Sequence, residues 1–172
     1  TTKELAELTE YFEQQVLPIL TPLGIDSKQV VPHISNLALS LAVELTDPRT
    51  GDDHFAIMEV PRTVPRWVPI GDTHRYLPLV RVIGANLAMV FPGFNINSWC
   101  PFPITRDGDV DLSTAAKEGD PLEVLEENIF RRHFGEVSRL EVPSQISGGI
   151  RARLLKEMCD ENLPPCVTTR EK

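Results

Sequence analysis

Two neighbouring stretches of residues, 34–45 and 54–60, constrain the fold more than any other part of the chain. In the first, large apolar residues occupy every second position up to Leu45, with small or polar residues between them. This is the period of a β-strand with one face buried behind large side chains. The turn-forming segment 46–53 leads into the second, mostly apolar stretch, so the two are expected to pair as a hairpin. A hairpin alone is marginal in water, and the rest of the chain is expected to cover it.

The alternation also predicts the orientation of individual side chains. Leu41 is expected in the core, and Ser40 is expected on the opposite, less buried face. A shift of the strand register by one residue would exchange these two environments.

The rest of the chain is organised as helical segments and further short strands. Apolar residues spaced three and four apart predict helices over about 3–19, 78–91, 120–134 and 150–158. Two short apolar runs, 94–104 and 137–142, are expected to be strands, and Pro101 and Pro103 indicate an edge position or a break in pairing for the first of them. The order α-β-β-α-β-α-β-α predicts an α+β fold, a small mixed β-sheet with the central hairpin covered by four helices.

Length and composition limit the domain organisation and the kinds of partner. The chain has 172 residues, which predicts one domain over 1–159, followed by a loose polar tail over 160–172. A net charge of −8 argues against nucleic acid or an anionic membrane as a partner. No apolar run approaches the roughly 20 residues of a membrane span. The three cysteines form no regular framework, which favours a reducing cytoplasm. Because the first residue is not Met, the chain is expected to be processed or cut from a longer protein.

Motifs with a defined chemistry are weak. Asp107, Asp109, Asp111 and Glu118 have the spacing of an EF-hand calcium loop, but Leu112 stands where that loop needs glycine. We therefore interpret 107–118 as a solvated acidic loop and expect no metal site. None of the four histidines has partners at metal-ligand spacing, and no phosphate-binding loop or nucleophile motif is present. The residues themselves predict no catalytic or cofactor-binding set.

A modest excess of positive charge lies between 131 and 157, with six basic and three acidic residues. Arginine side chains can hold phosphate groups through forked hydrogen bonds. The alternative is ordinary charge on a helix surface, which the small excess favours. The candidate anion patch consists of Arg131, Arg132, Arg139, Arg151 and Arg153, with Lys156 beside them.

An ordered set of segments resembles the middle, or head, domain of the long-chain polyphosphate kinases. The resemblance runs from about Tyr11 to Met158, whereas the stretch Ser27–His33 departs from the family pattern. No single motif is decisive, but the ordered set is specific. The matching segments are Tyr11–Leu23, Ile34–Val43, Val64–Val68, Ile83–Leu87, Phe91–Gly93, Thr105–Asp107 and Phe134–Val142.

The resemblance implies a larger parent enzyme that transfers the γ-phosphate of ATP reversibly to polyphosphate, with Mg²⁺ and through a phosphohistidine. In that family the catalytic histidines lie in C-terminal domains and the adenine contacts lie in an N-terminal domain. The head domain is then expected to support dimerisation and the active-site tunnel, and to be inactive and bind no cofactor alone. The resemblance further implies a cytoplasmic parent, or one that is peripheral at the inner face of the membrane.

The expected partners are the other domains of the parent and a second copy of it. The residues assigned to such an interface are Arg66, Thr105, Arg106 and Asp107. Two alternatives remain open at this point. One is a stand-alone module that binds polyphosphate or another anion on the basic patch, and the other is an independent small enzyme.

Overall fold

The strand with alternating leucines lies near the middle of a six-stranded sheet. The computed structural model describes residues 2–25, 34–71, 74–106, 137–158 and 167–170. Eight strands are described: β1 (Leu23–Ile25), β2 (Leu39–Thr46), β3 (Asp53–Glu59), β4 (Trp67–Pro69), β5 (Tyr76–Pro78), β6 (Asn95–Arg106), β7 (Val137–Pro143) and β8 (Val167–Arg170). The described helices are α1 (Thr2–Tyr11), α2 (Leu79–Ala85), α3 (Leu87–Val90) and α4 (Gly148–Met158).

The main sheet has the strand order β1-β3-β2-β6-β7-β8, and β4 pairs with β5 in a separate two-stranded sheet. All pairs are antiparallel except β7 with β8, so the sheet is mixed as predicted. The β2–β3 hairpin is confirmed and lies inside this sheet. The described helices and strands also confirm the α+β class. The predicted helix over 120–134 lies outside the described residues.

The N-terminal helical segment is confirmed over almost its predicted length, but its pitch changes twice. The α1 helix continues into a wider π-type turn over Phe12–Val16 and a tighter 3₁₀ turn over Leu17–Ile19. Pro18 lies in this last turn, where its missing N–H ends the regular helix. Phe12 and Val16 are fully buried. The apolar stripe is less buried at its ends, because Leu5 is 65% exposed and Ile19 is 45% exposed.

Both faces of the sheet are covered, which corrects the prediction that one face of β2 is less buried. Leu41, Val43 and Leu45 belong to one core, which lies under α1, α2 and the β4–β5 pair. Ala38 and Ala42 belong to a second core on the other face, where α4 packs. Ser40 is on that second face and is fully buried. The small residues of β2 are therefore needed for packing against α4, a role that alternation alone does not distinguish from exposure.

The prolines of β6 are accommodated by a break in pairing on one side of an interior strand. β2 pairs with β6 through Pro101 and Pro103, whereas β7 pairs with β6 only from Ile104 onward. At both prolines just one side of β6 has a strand neighbour, so the missing N–H groups do not interrupt two ladders.

Two further differences concern short strands. Residues 23–25 form the edge strand β1, although the sequence there has no strand period. Residues Val167–Arg170 form β8, so the prediction of a loose tail is wrong for these four residues. Backbone pairing with β7 orders β8 without requiring an apolar pattern. The helix predicted over 78–91 is divided into α2 and α3 at Asn86, whose side-chain amide donates to the Val82 carbonyl at 2.9 Å. No helix among the described residues is long and apolar enough to cross a membrane.

The turn of the central hairpin is held by a charged pair. The side chain of Arg49, and next its backbone N–H, donate to the Asp47 carboxylate and lower the pKa of Asp47 to about 2. Gly51, with φ of 78°, donates its N–H to the Asp47 carbonyl at 2.8 Å. The ionised form of Asp47 therefore stabilises the turn.

Leu41→Ala is predicted to lower the free energy of unfolding by about 2–5 kcal/mol, because it removes buried volume from the first core. Ser40→Ala is the matched control on the neighbouring position. Among the described residues the buried Ser40 hydroxyl has no hydrogen-bond partner, so its removal is expected to change stability little or to raise it slightly. Urea unfolding of both variants measures this. Equal losses would show that the register of β2 is wrong.

Asp47→Asn is predicted to flatten the acid limb of the stability curve. The pKa of Asp47 is about 2 in the folded chain, against an ordinary value of about 3.9. A lowered pKa contributes stability above the unfolded value, and this contribution is lost as pH falls through the folded value. Urea midpoints measured between about pH 5 and pH 2 should therefore fall less steeply for the variant. Parallel curves would contradict the role of the charged turn.

Candidate functional site

The predicted anion patch is divided by the sheet. Leu140 and Val142 on β7 share a core with α4, and strand alternation places Arg139 and Glu141 on the opposite face. The Arg139 guanidinium lies 3.2 Å from the Glu141 carboxylate. Arg139 is therefore separated from the arginines of α4 by the thickness of the sheet.

On α4 the basic residues have different environments. Arg151 and Lys156 are exposed. Arg153 is half-buried, with its Nε 3.6 Å from the Glu157 carboxylate and its guanidinium 5.8 Å from the centre of the Phe55 ring. Arg131 and Arg132 lie outside the described residues. The described members of the patch thus form two small groups, and the one on α4 includes an arginine that packs inward.

Arg106 and Thr105 end β6, and both take part in contacts within the domain. The Arg106 Nε donates to the Ile34 carbonyl at 3.0 Å, and its backbone N–H donates to the Asn36 side chain at 2.9 Å. Burial lowers the pKa of Arg106 from its ordinary value. The Thr105 carbonyl accepts from the Ser138 hydroxyl at 3.2 Å. Arg106 therefore fastens the segment before β2 to the end of β6, and Thr105 bonds the end of β6 to β7. Asp107 lies outside the described residues.

Arg66 lies in a different region, directly before β4. Its side chain is exposed, and its carbonyl accepts the Leu79 N–H at 2.8 Å. This bond ties the start of α2 to the β4–β5 pair. Among the predicted interface residues, Arg66 lies beside this pair, whereas Thr105 and Arg106 belong to the main sheet.

A carboxylate that sequence reasoning missed connects three elements. Glu44 on β2 accepts hydrogen bonds from the hydroxyls of Ser98 on β6 and of Ser147, the latter at 2.8 Å. The Ser147 hydroxyl also accepts the Ile150 N–H at 3.1 Å, which caps the first turn of α4. A negative charge is stabilised at this position by the helix dipole. The signal in the sequence is a lone Glu among the small residues that face the second core.

The same carboxylate influences the described cysteine. Burial, and then the charge of Glu44, raise the pKa of the Cys100 thiol to about 12. Cys100 is therefore a neutral, buried thiol at physiological pH and is not an activated nucleophile.

Aromatic and cationic groups line a cleft of about 340 Å³ on the first face of the sheet. The Arg81 guanidinium lies 5.8 Å from the centre of the Trp99 ring, in a cation–π contact. Pro143, Ser144 and Gln145 form the other wall. Gly84 is required beneath Trp99, because a Cβ there would lie 2.2 Å from the ring.

Histidines and metal-binding groups add no further site in the part of the chain that the structure describes. His54 packs edge-on against Phe94, with ring centres 5.4 Å apart. Within residues 2–25, 34–71, 74–106, 137–158 and 167–170, no group of three His, Cys, Asp or Glu side chains is arranged to bind a metal ion. The acidic loop 107–118, His33 and His133 lie outside these ranges.

With this geometry in place, comparison with known proteins identifies the class of domain. The sequence model of the family described as "Polyphosphate kinase middle domain" matches residues 3–162. The chain is 39% identical to a polyphosphate kinase of Mycobacterium ulcerans over 165 residues, which is 90% of this chain and 22% of that protein. It is 39% identical to a polyphosphate kinase of Aphanizomenon baltica over 163 residues, or 88% of this chain and 42% of that protein. The chain belongs to the polyphosphate kinase family and corresponds to its middle domain.

A solved structure shows the same fold. The crystal structure of polyphosphate kinase from Porphyromonas gingivalis superposes with a TM-score of 0.69 at 21% identity, covering 95% of this chain and 23% of that one. The chain therefore spans between about a fifth and two fifths of the length of these proteins.

Gly149→Ala is predicted to destabilise the chain by about 1–3 kcal/mol, since the hydrogen bonds of a partly buried carboxylate must shift. A Cβ at Gly149 would lie 2.0 Å from Glu44 Oε1, whereas a Cβ at Gly148 would meet nothing within 4 Å. Gly148→Ala is thus a matched control and is expected to be neutral or stabilising. Thermal unfolding compares the two variants. Equal behaviour would show that Glu44 is not held against α4.

Proposed function

We propose that this chain is the middle domain of a larger polyphosphate kinase, and that its role in the parent is assembly of the enzyme. The observation that carries the proposal is the match of residues 3–162 to the middle domain, in relatives of which the chain covers as little as 22%. The parent would transfer the γ-phosphate of ATP reversibly to polyphosphate, using Mg²⁺. The family name supports the kinase activity. The reversibility of the reaction is implied by the sequence resemblance.

The internal bonding of the polar side chains supports a structural role. Glu44 joins β2, β6 and α4, and Arg106 joins the end of β6 to the segment before β2. Covalent phosphoryl transfer requires a positioned nucleophile together with cations that neutralise phosphate. In the described residues, Glu44 and Arg106 are instead engaged in holding elements together. We therefore assign the chemistry to the remainder of the parent.

The domain is proposed to support dimerisation and the active-site tunnel, with the other domains of the parent and a second copy as its partners. The exposure of Arg66 supports its assignment to such an interface. A substitution of Arg106 tests the same assignment less directly, because it also breaks the bonds of Arg106 to Ile34 and Asn36. We further propose a cytoplasmic parent, which the absence of a regular cysteine framework in the sequence supports. No observation in the described part favours a stand-alone anion-binding module.

The proposal predicts that the 172-residue chain incorporates no label from ATP carrying a radioactive γ-phosphate. The parent is expected to become labelled under the same conditions. Mass spectrometry and autoradiography of both proteins measure this. Covalent labelling of the 172-residue chain would overturn the assignment of chemistry to the other domains.

The same proposal predicts that activity of the parent depends on the folding of this domain. The parent carrying Leu41→Ala should lose activity and assembly at a temperature at which the parent carrying Ser40→Ala keeps both, since only the first change removes core volume. Sedimentation and polyphosphate synthesis are measured together. Full activity with this domain unfolded would contradict the proposal.

A further inference from the structure

The outer face of the β4–β5 pair carries exposed aromatic side chains. In this pair Trp67 is opposite Pro78, and Pro69 is opposite Tyr76, whereas Val68 is opposite Leu77. Val68 is buried and points into the first core, so alternation places the two aromatic residues and two prolines on the other face. Trp67 is 60% exposed and Tyr76 is 56% exposed. Tyrosine and tryptophan side chains are enriched at interaction sites relative to the rest of a protein surface.

The neighbouring helix α1 also carries an exposed apolar side chain. Leu5 on α1 belongs to the stripe that the sequence predicts to be buried, yet it is 65% exposed. It lies one turn before Leu8, which lines a cleft of about 600 Å³ between α1 and β4. Glu4 forms an ion pair with Arg75, and a Cβ at Gly71 would lie 3.5 Å from the Glu7 carboxylate. The α1 helix and the β4–β5 pair are thus fastened side by side, and both have uncovered apolar groups.

The area of the surface favours an occupant in the same polypeptide. An aromatic side chain buries 150–250 Å² when fully covered, so Trp67 and Tyr76 together offer roughly 200–300 Å² at their observed exposure. Stable association of free partners buries about 800 Å² on each side. A covalently attached partner needs less, because tethering supplies an effective concentration of about millimolar.

The position of α1 indicates which part of the polypeptide this is. The family match names a middle domain, and its relatives extend well beyond the matched region. In such a parent, the segment that precedes α1 reaches the molecule beside the β4–β5 pair. We propose that this preceding segment of the parent packs on Trp67, Tyr76 and Leu5. The inference rests on the proposed function and makes it more specific.

The chemistry of the surface describes the occupant. Arg66 and His74, which are close in sequence to Trp67 and Tyr76, are exposed, although the whole chain has a net charge of −8. The packed surface of the preceding segment should therefore be apolar at its centre, with carboxylates at its rim. The arginine that the sequence assigned to an interface, Arg66, then lies at the edge of this contact.

Hydroxyl-radical footprinting with mass spectrometry tests the contact directly. Trp67 and Tyr76 are expected to be oxidised readily in the 172-residue chain and at least about five-fold more slowly in the full-length parent, because residues at the centre of an interface lose most of their exposure. Both proteins unfolded in urea are the reference, because Trp67 and Tyr76 are then equally exposed in the two. Equal oxidation of Trp67 and Tyr76 in the two proteins would overturn the inference.

Dilution and substitution separate this occupant from a second copy. Protection by the preceding segment should persist when the parent is diluted to monomer, and protection that disappears on dilution would assign the surface to a second copy and overturn the inference. In the parent, Trp67→Ser with Tyr76→Ser should accelerate proteolysis just before α1 several-fold. The control Leu37→Asn should not, and Asn tolerates the φ of 59° at that position. Unchanged proteolysis in the double variant would also count against the contact.

Failure of this packing inference can be distinguished from failure of the proposed function. The label-transfer measurement on the 172-residue chain, and the activity and assembly measurements on the Leu41→Ala parent, do not depend on Trp67 or Tyr76. A parent that requires this domain for activity, but leaves both aromatic residues unprotected, would overturn only the packing assignment.

Discussion

Burial of both faces of β2 is the constraint on which the rest of the domain depends. Leu41 and Val43 enter the core beneath α1 and α2, while Ala42 and Ser40 enter the core beneath α4. Large residues on one face and small residues on the other allow helices to lie on both sides of the same strand. Both hydrophobic cores therefore contain side chains of β2, and a change in the register of this strand would disrupt the two cores together.

Polar contacts determine how the second core is closed. Glu44 binds Ser98 and Ser147 and lies against Gly149, so that the first turn of α4 is positioned on the edge of β2 and β6. Arg106 makes the corresponding connection at the other end of β6. In both cases a charged side chain joins segments far apart in the sequence. These two side chains thus fix the geometry of the segments that they join.

Much of the fold was predictable from the sequence, because long periodic segments determine their own secondary structure. The hairpin, the N-terminal helical segment and α4 all follow from spacing alone. The strands β1 and β8 were not predictable, since their order comes from backbone pairing with β3 and β7. The burial of Ser40 was missed for a related reason. The sequence pattern is the same whether a small polar residue lies on an exposed strand face or on a face against which a helix packs closely.

The candidate site was predictable only in part. The interface role of Arg66 stays a prediction. The basic patch assumed that residues near in sequence share a surface. Strand alternation instead separates Arg139 from Arg151 by the sheet. The aromatic face of the β4–β5 pair was not foreseen, because strands of three residues are too short to show which side is buried. Their outward side became evident only when Val68 was seen in the core.

The strand pairing also has a consequence for the order in which the domain folds. The two strands of the hairpin are joined by six residues, whereas β2 and β6 pair Leu39 with Pro103 and α4 follows much later in the chain. Contacts between distant segments require loop closure, which slows folding. During synthesis, the hairpin and α1 emerge early and one face of β2 can be covered promptly. The small-residue face waits for α4, so the growing chain exposes half of its central sheet until nearly the entire domain has left the ribosome.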